Sequence, residues 1–257
     1  MNIHQYYRQA AFTALNNSLA ALVPIIIMIL PLYMLFTNSK ILLFSIPFLV
    51  YSFIAYQSYI LHRERSSATA NTFKIENNLV PFEKNQYLLV FMPAPSLRML
   101  LFNPNGTIKG EIRDLRFSKL RWYLPYFIDR MIPAEYGFFN REKKLQLTMK
   151  WSKGQCEVRD RKGTCAFTIE ETGTNEFQLN DNLFIRLDSK TLYTDVQFVN
   201  GEGSVIARVR KGWMPLEWSP YIKDANTPVL SFDEGLSKQE QLFIFAILIK
   251  IYRYRNH

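Results

Sequence analysis

Residues 113–130 hold the densest mixture of groups with a chemistry of their own. Arg113, Arg116, Lys119, Arg121 and Arg130 are interleaved with Leu115, Phe117, Leu120, Trp122, Tyr123, Tyr126 and Phe127. Cations and rings mixed in this way suit a surface that meets anionic headgroups while its aromatic side chains enter the membrane interface. The lipid-binding candidates are Arg113, Arg116, Lys119, Arg121, Trp122 and Arg130. The same text also suits an amphipathic loop or short helix whose rings cover one end of a domain and whose charges are solvated. Both readings stand at this stage. A pI near 9.5 would permit nucleic acid as well, but the apolar segments described below make lipid the nearer polyanion, and no nucleic-acid partner is expected.

Other reaction chemistry is poorly supplied. Ser–His and Cys–His catalysis need an imidazole beside the nucleophile, and the three histidines are His4, His62 and His257. Cys156 and Cys165 flank the turn Asp160–Gly163 and could approach on neighbouring strands. In a reducing compartment they read as two buried or half-buried thiols. Glu170 and Glu171 would point to opposite faces of a strand, and Asn180-Asp181-Asn182 lacks the regular acidic spacing of a calcium loop. Cys and His are too few for structural zinc, and no Gly-rich phosphate loop is present. The expectation is no catalytic residue, no metal and no cofactor.

Positioning elements divide the chain in two. Leu19–Phe36 reads LAALVPIIIMILPLYMLF and 41–61 reads ILLFSIPFLVYSFIAYQSYIL, both without a charge. A bilayer core needs roughly 20 apolar helical residues, so these runs predict two transmembrane helices, 19–36 and 41–61. The link Thr37-Asn38-Ser39-Lys40 is short, which makes them an antiparallel hairpin. Pro24, Pro31 and Pro47 are tolerated in such helices. Arg8, Arg63 and Arg65 flank the pair, against Lys40 in its loop. The positive-inside rule then puts residues 1–18 and the C-terminal domain in the cytoplasm of a cell-membrane protein with two spans. Residues 62–84 read as a polar linker.

From 85 to 257 the text is strand-like. Runs such as QYLLVFM (86–92), LRMLLF (97–102), LQLTMKW (145–151), TCAFTIEE (164–171) and SVIARVRK (204–211) alternate with turn clusters, among them Asn103-Pro104-Asn105-Gly106, Asp160-Arg161-Lys162-Gly163 and Asn200-Gly201-Glu202-Gly203. Strands spaced eight to twelve residues apart predict an antiparallel barrel or sandwich. Ser237-Lys238-Gln239-Glu240 is a capping box opening a helix over 237–252. Leu242–Ile249 is apolar throughout, so this helix has no face for water. The economical solution is an antiparallel β-barrel enclosing the C-terminal helix. Trp213 and Trp218, beside Met214 and Pro215, read as an aromatic cluster closing that barrel.

The run Lys211-Gly212-Trp213-Met214-Pro215-Leu216-Glu217-Trp218, then Asp224-Ala225-Asn226-Thr227-Pro228-Val229-Leu230, then the capped helix, resembles the closing section of tubby C-terminal-like domains. That superfamily, with LURP-one-related proteins and phospholipid scramblases, is a β-barrel wrapped around a hydrophobic helix. The resemblance implies that fold over 85–257 and the theme of acidic-lipid binding; the N-terminal hairpin lies outside it. The expected function is therefore a membrane-anchored, non-enzymatic module that recognises anionic lipid headgroups or a membrane-associated protein partner. The alternative is a scramblase-like or small transport or regulatory membrane protein, with a polar path drawn from Ser45, Tyr51, Ser52 and Gln57.

Overall fold

The computed structural model describes residues 1–70, 85–94, 96–116, 134–179, 183–189 and 195–253. Two compact units divide the chain, Met1–Asn77 and Asn78–His257.

The first unit is an antiparallel pair of helices longer than the apolar runs. Helix α1 spans Ile3–Pro24, a π-turn Ile25–Ile29 follows, and α2 runs Leu30–Phe36; after a 3-10 segment Ser39–Ser45, α3 spans Ile46–Ala70. Residues 3–18 and 62–70, assigned above to the flanks of the spans, are thus helical. Asn2 starts α1 with a capping box closed by Gln5. The π-turn lies between Pro24 and Pro31, where Leu30 N–H reaches back to the Ile25 carbonyl. A proline lacks the N–H and crowds the carbonyl four residues back, and a widened turn relieves both. Thr37, left-handed at φ 48°, ends the helix.

The two strings of helix meet through small and hydroxyl side chains together with Ile3, Tyr7 and Ile29, Tyr7 stacking on His62 at 6.3 Å. Ala10, Ala11, Ser18, Ser52, Ala55 and Thr69 are buried, and Ser18 Oγ lies 3.0 Å from Ser52 Oγ. Further along, His4 Nδ1 is 2.8 Å from the Ser66 carbonyl. The outside is apolar, with Ile26, Ile27, Met34, Leu35, Leu43 and Phe44 exposed. Small residues within and large apolar ones without is the order of helices packed in hydrocarbon. Both strings are long and apolar enough to cross a membrane.

The second unit is a closed antiparallel barrel of twelve strands in chain order, β1 pairing with β12. These are β1 Gln86–Phe91, β2 Arg98–Phe102, β3 Ile108–Asp114, β4 Glu135–Asn140, β5 Leu145–Ser152, β6 Gln155–Asp160, β7 Cys165–Gly173, β8 Glu176–Leu179, β9 Leu183–Ser189, β10 Asp195–Asn200, β11 Val205–Arg210 and β12 Val229–Phe232. Strands β4 and β12 have no counterpart in the sequence reading. One is interrupted by Gly137 and the other is four residues long, directly after Pro228.

Helix α4, Lys238–Tyr252, fills the barrel. Its capping box is formed: Ser237 N–H donates to Glu240 Oε2 at 2.7 Å and Glu240 N–H to Ser237 Oγ at 3.3 Å. Phe243 through Ile249 are all buried, packed within inward-facing strand residues such as Leu89, Met99, Ile112, Val158, Ile185 and Leu230. Phe245 meets the rings of Tyr87, Phe138 and Phe232 at centroid distances of 6.3, 5.7 and 5.7 Å. Trp151 Nε1 donates to the Ala246 carbonyl at 3.0 Å, fixing the helix to β5. Lys250 pairs with Glu171 and lies 5.2 Å from the Trp151 ring centroid. Burial of every side of α4 supplies the hydrophobic stabilisation that a wide strand barrel otherwise lacks at its centre.

Candidate functional site

Strand order gives the barrel two unlike ends. At one, which we term the turn end, lie the reversals 103–107, 141–144, 161–164 and 201–204. At the other, the loop end, lie the end of β1, the end of β3 with Leu115 and Arg116, Lys153-Gly154, Thr174-Asn175 and 211–228. Helix α4 enters from the turn end after β12 and finishes at the loop end, where Tyr252 packs on Phe91 of β1 at 4.8 Å.

Among the described residues the turn end repeats one solution four times. Asn103, Asn140, Asp160 and Asn200 each accept through the backbone carbonyl from the N–H three residues on, at 2.9–3.0 Å. Side-chain oxygens add further bonds: Asn140 Oδ1 accepts from Glu142 and Lys144, Asp160 Oδ1 from Lys162 and Thr164, Asn200 Oδ1 from Glu202 and Ser204. The fourth residue is left-handed in every case: Gly106 (φ 71°), Lys143 (60°), Gly163 (85°) and Gly203 (83°). A type I turn followed by a left-handed residue is a standard hairpin closure with a bulge, and the ladder register shifts beside each of these turns.

The loop end carries the start of the basic–aromatic segment, Arg113 to Arg116. Arg113, on β3, lies opposite Arg98 of β2 and Gly137 of β4. Its guanidinium stacks 4.2 Å from the Phe139 ring centroid, a cation–π contact. Arg98 turns instead to buried Glu111, 2.7 Å away. Gly137 makes room for this outer layer: a Cβ there would come within 2.8 Å of Leu115, Leu145 and Phe139 side-chain atoms. Arg116, just past β3, pairs with Glu135 at 3.3 Å and keeps about half its side chain in solvent. Its N–H donates to Asp114 Oδ1 at 2.9 Å. Arg113 and Arg116 therefore share one edge of the loop end. Lys119, Arg121, Trp122 and Arg130 lie outside the described residues.

A second group on the same end was not singled out as a site by sequence. Trp218 is buried, with 4% of its surface exposed, but Trp213 is 68% and Leu216 88% exposed. Of the two, only Trp218 is buried; Trp213 stands in solvent, where Gly212 at φ 78° turns the chain off β11 before Trp213 can join the sheet. Arg210 lies beside Trp213, its guanidinium carbon 6.0 Å from the ring centroid. The nearest carboxylate across the ladder, Asp195, is engaged by Arg208. That bond holds the Asp195 carboxyl below the usual carboxylate range. The recoverable signal was Trp and Leu flanked by Gly and Pro next to Lys211, apolar residues in loop text.

Cys156 and Cys165 do not meet. Their ladder partners are Ile169 and Arg159, so they sit at different levels of β6 and β7. Cys156 is buried, which pushes its thiol up to about 12, and Cys165 is exposed.

No family model matches the chain, and no curated protein does. Among solved structures it is similar to an X-ray structure of a protein from Arabidopsis thaliana, at 12% identity and a TM-score of 0.43, over 66% of this chain and 91% of that one.

Proposed function

We propose that this chain is a membrane-anchored, non-enzymatic binding module of tubby-like type, whose barrel recognises anionic lipid headgroups from the cytoplasmic side. One observation carries the reading: among the described residues, Arg113 and half-exposed Arg116 stand together at the loop end of the barrel, in a chain that also carries two helices long and apolar enough to cross a membrane. The interior of the barrel is occupied by α4, so recognition falls to the outside and the ends. There, each Lys or Arg near an anionic surface contributes about 1 kcal/mol. A membrane-associated protein with an acidic face is the other partner class this surface would serve.

Cosedimentation of the barrel unit, residues 78–257, with phosphatidylcholine vesicles and with vesicles containing phosphatidylserine tests the reading, at low and at high salt. Binding that needs the anionic lipid and fades with salt is expected. Arg116→Gln, Lys119→Gln and Arg121→Gln together should weaken it on the order of a hundredfold. Equal sedimentation with both vesicles, or none with either from a folded unit, overturns it. Transbilayer lipid movement by the reconstituted full chain would favour the scramblase reading instead.

A further inference from the structure

Among the described residues of the barrel unit, the large apolar side chains in solvent are Leu115, Val205, Trp213 and Leu216, and the last two are by far the most exposed. They stand three residues apart on one excursion, with Pro215 between them also exposed. The excursion is fixed at both ends: Gly212 begins it, and the 3-10 turn Leu216–Trp218 anchors it through buried Trp218. At its base are Arg210 and Lys211; Asp195, across the ladder from Arg210, feels that charge but is held by Arg208, and the acidic residues of the excursion are Glu217 and Asp224. An apolar tip above a cationic base matches the depth profile of a bilayer surface, hydrocarbon below and phosphate above. Trp is suited to that boundary, its ring apolar and its N–H able to face water.

We propose that residues 210–218 form a membrane-inserting wedge, with Trp213 and Leu216 entering the acyl boundary and Arg210 and Lys211 contacting anionic headgroups. The inference rests on the preceding reading for the presence of a bilayer beside the barrel, and assigns a different set of residues to it. The described helices and the described barrel are separated in the chain by fourteen residues, 71–84, a contour of at most about 45–50 Å.

A spin label at Pro215→Cys, in a Cys165→Ser background, leaves both apolar side chains intact; buried Cys156 does not react. The full chain is reconstituted in phosphatidylcholine bilayers with and without phosphatidylserine, and a Lys162→Cys label at the turn end serves as the aqueous reference. In the anionic bilayer, the label at 215 should collide with oxygen and be shielded from a water-soluble nickel chelate, whereas the reference should not be shielded. Adding Trp213→Ser and Leu216→Ser should cut the shielded population on the order of tenfold or more. Nickel access at 215 equal to that at 162 in both bilayers overturns the wedge. Equal shielding in both bilayers overturns the headgroup role of Arg210 and Lys211. Loss of vesicle binding in the Arg116, Lys119 and Arg121 variant bears on the preceding reading alone, so failure of one does not mimic failure of the other.

Discussion

The two ends of the barrel share the same strands, yet the chain treats them differently. At the turn end it reverses direction with a five-residue device used again and again, an Asx residue at the start and a left-handed residue in fourth place. At the loop end, reversals of two residues, Lys153-Gly154 and Thr174-Asn175, stand beside the connection 211–228. A reversal needs only a few residues, and connections beyond about 12–15 in a compact domain usually carry function. The contrast separates what holds this barrel from what it shows to its surroundings.

Variants can break or sharpen that contrast. The largest effect belongs to neither end: Phe245→Ala in α4 removes a ring packed on Tyr87, Phe138 and Phe232, and should lower stability by about 3–5 kcal/mol in denaturant unfolding of the barrel unit. Next comes Gly137→Val, whose added carbons collide with Leu115, Leu145 and Phe139. A loss of about 1–3 kcal/mol is expected by the same measurement, together with disturbance of the Arg113 stack. At the turn end, Gly203→Ala forces a side chain into the left-handed region and should cost about 1 kcal/mol or more. Lys143→Gly, at the equivalent place in its own turn, should have the opposite sign and gain up to ~1 kcal/mol. If both variants shift stability in the same direction, the four turns are not equivalent.

Smaller still is the ion pair of Asp195 and Arg208. The folded carboxyl is held below the unfolded value of about 3.9, so the pair stabilises at pH above that value, and its contribution is lost as pH falls through the folded pKa. Asp195→Asn should cost less than about 1 kcal/mol at neutral pH, since Arg208 is partly solvated, and the difference from wild type should vanish in acid. The smallest effect is expected at the exposed tip. Trp213→Ser with Leu216→Ser should move stability by less than about 0.5 kcal/mol while changing what the barrel unit binds. A large destabilisation there would mean that the loop end is also structural.

Much of this architecture is legible from residue pattern. The alternating runs and Asn/Asp–Gly turns give most strands, and the Ser237–Glu240 box with the unbroken apolar run after it gives α4 and its burial. β4 hides because Gly137 serves close packing, a tertiary reason with no local trace. β12 hides because four residues are too few to establish a period; its place is set by neighbours on both sides, Arg210 and Leu88 across from Val229. Of the site, sequence located the basic residues Arg113 and Arg116 but not their engagements with Phe139 and Glu135. Trp213 was grouped with Trp218 because composition does not distinguish a ring in a core from one on a turn; the left-handed Gly212 does.

Strand β1 finds its second neighbour only in β12, and the barrel finds its filling only in α4, which follows all twelve strands in the chain. At roughly 5–20 residues per second on the ribosome, on the order of ten to thirty seconds separate the emergence of β1 from that of α4. Throughout that interval β1 has an unpaired edge, and the apolar residues meant for the lumen have nothing to close upon. Exposed edges of this kind invite pairing with other chains. The last strand and the helix therefore set when the barrel can close: until both are made its edge and its lumen-facing residues stay open, and removing α4 should forfeit the cooperative unfolding of the whole barrel rather than one element of it.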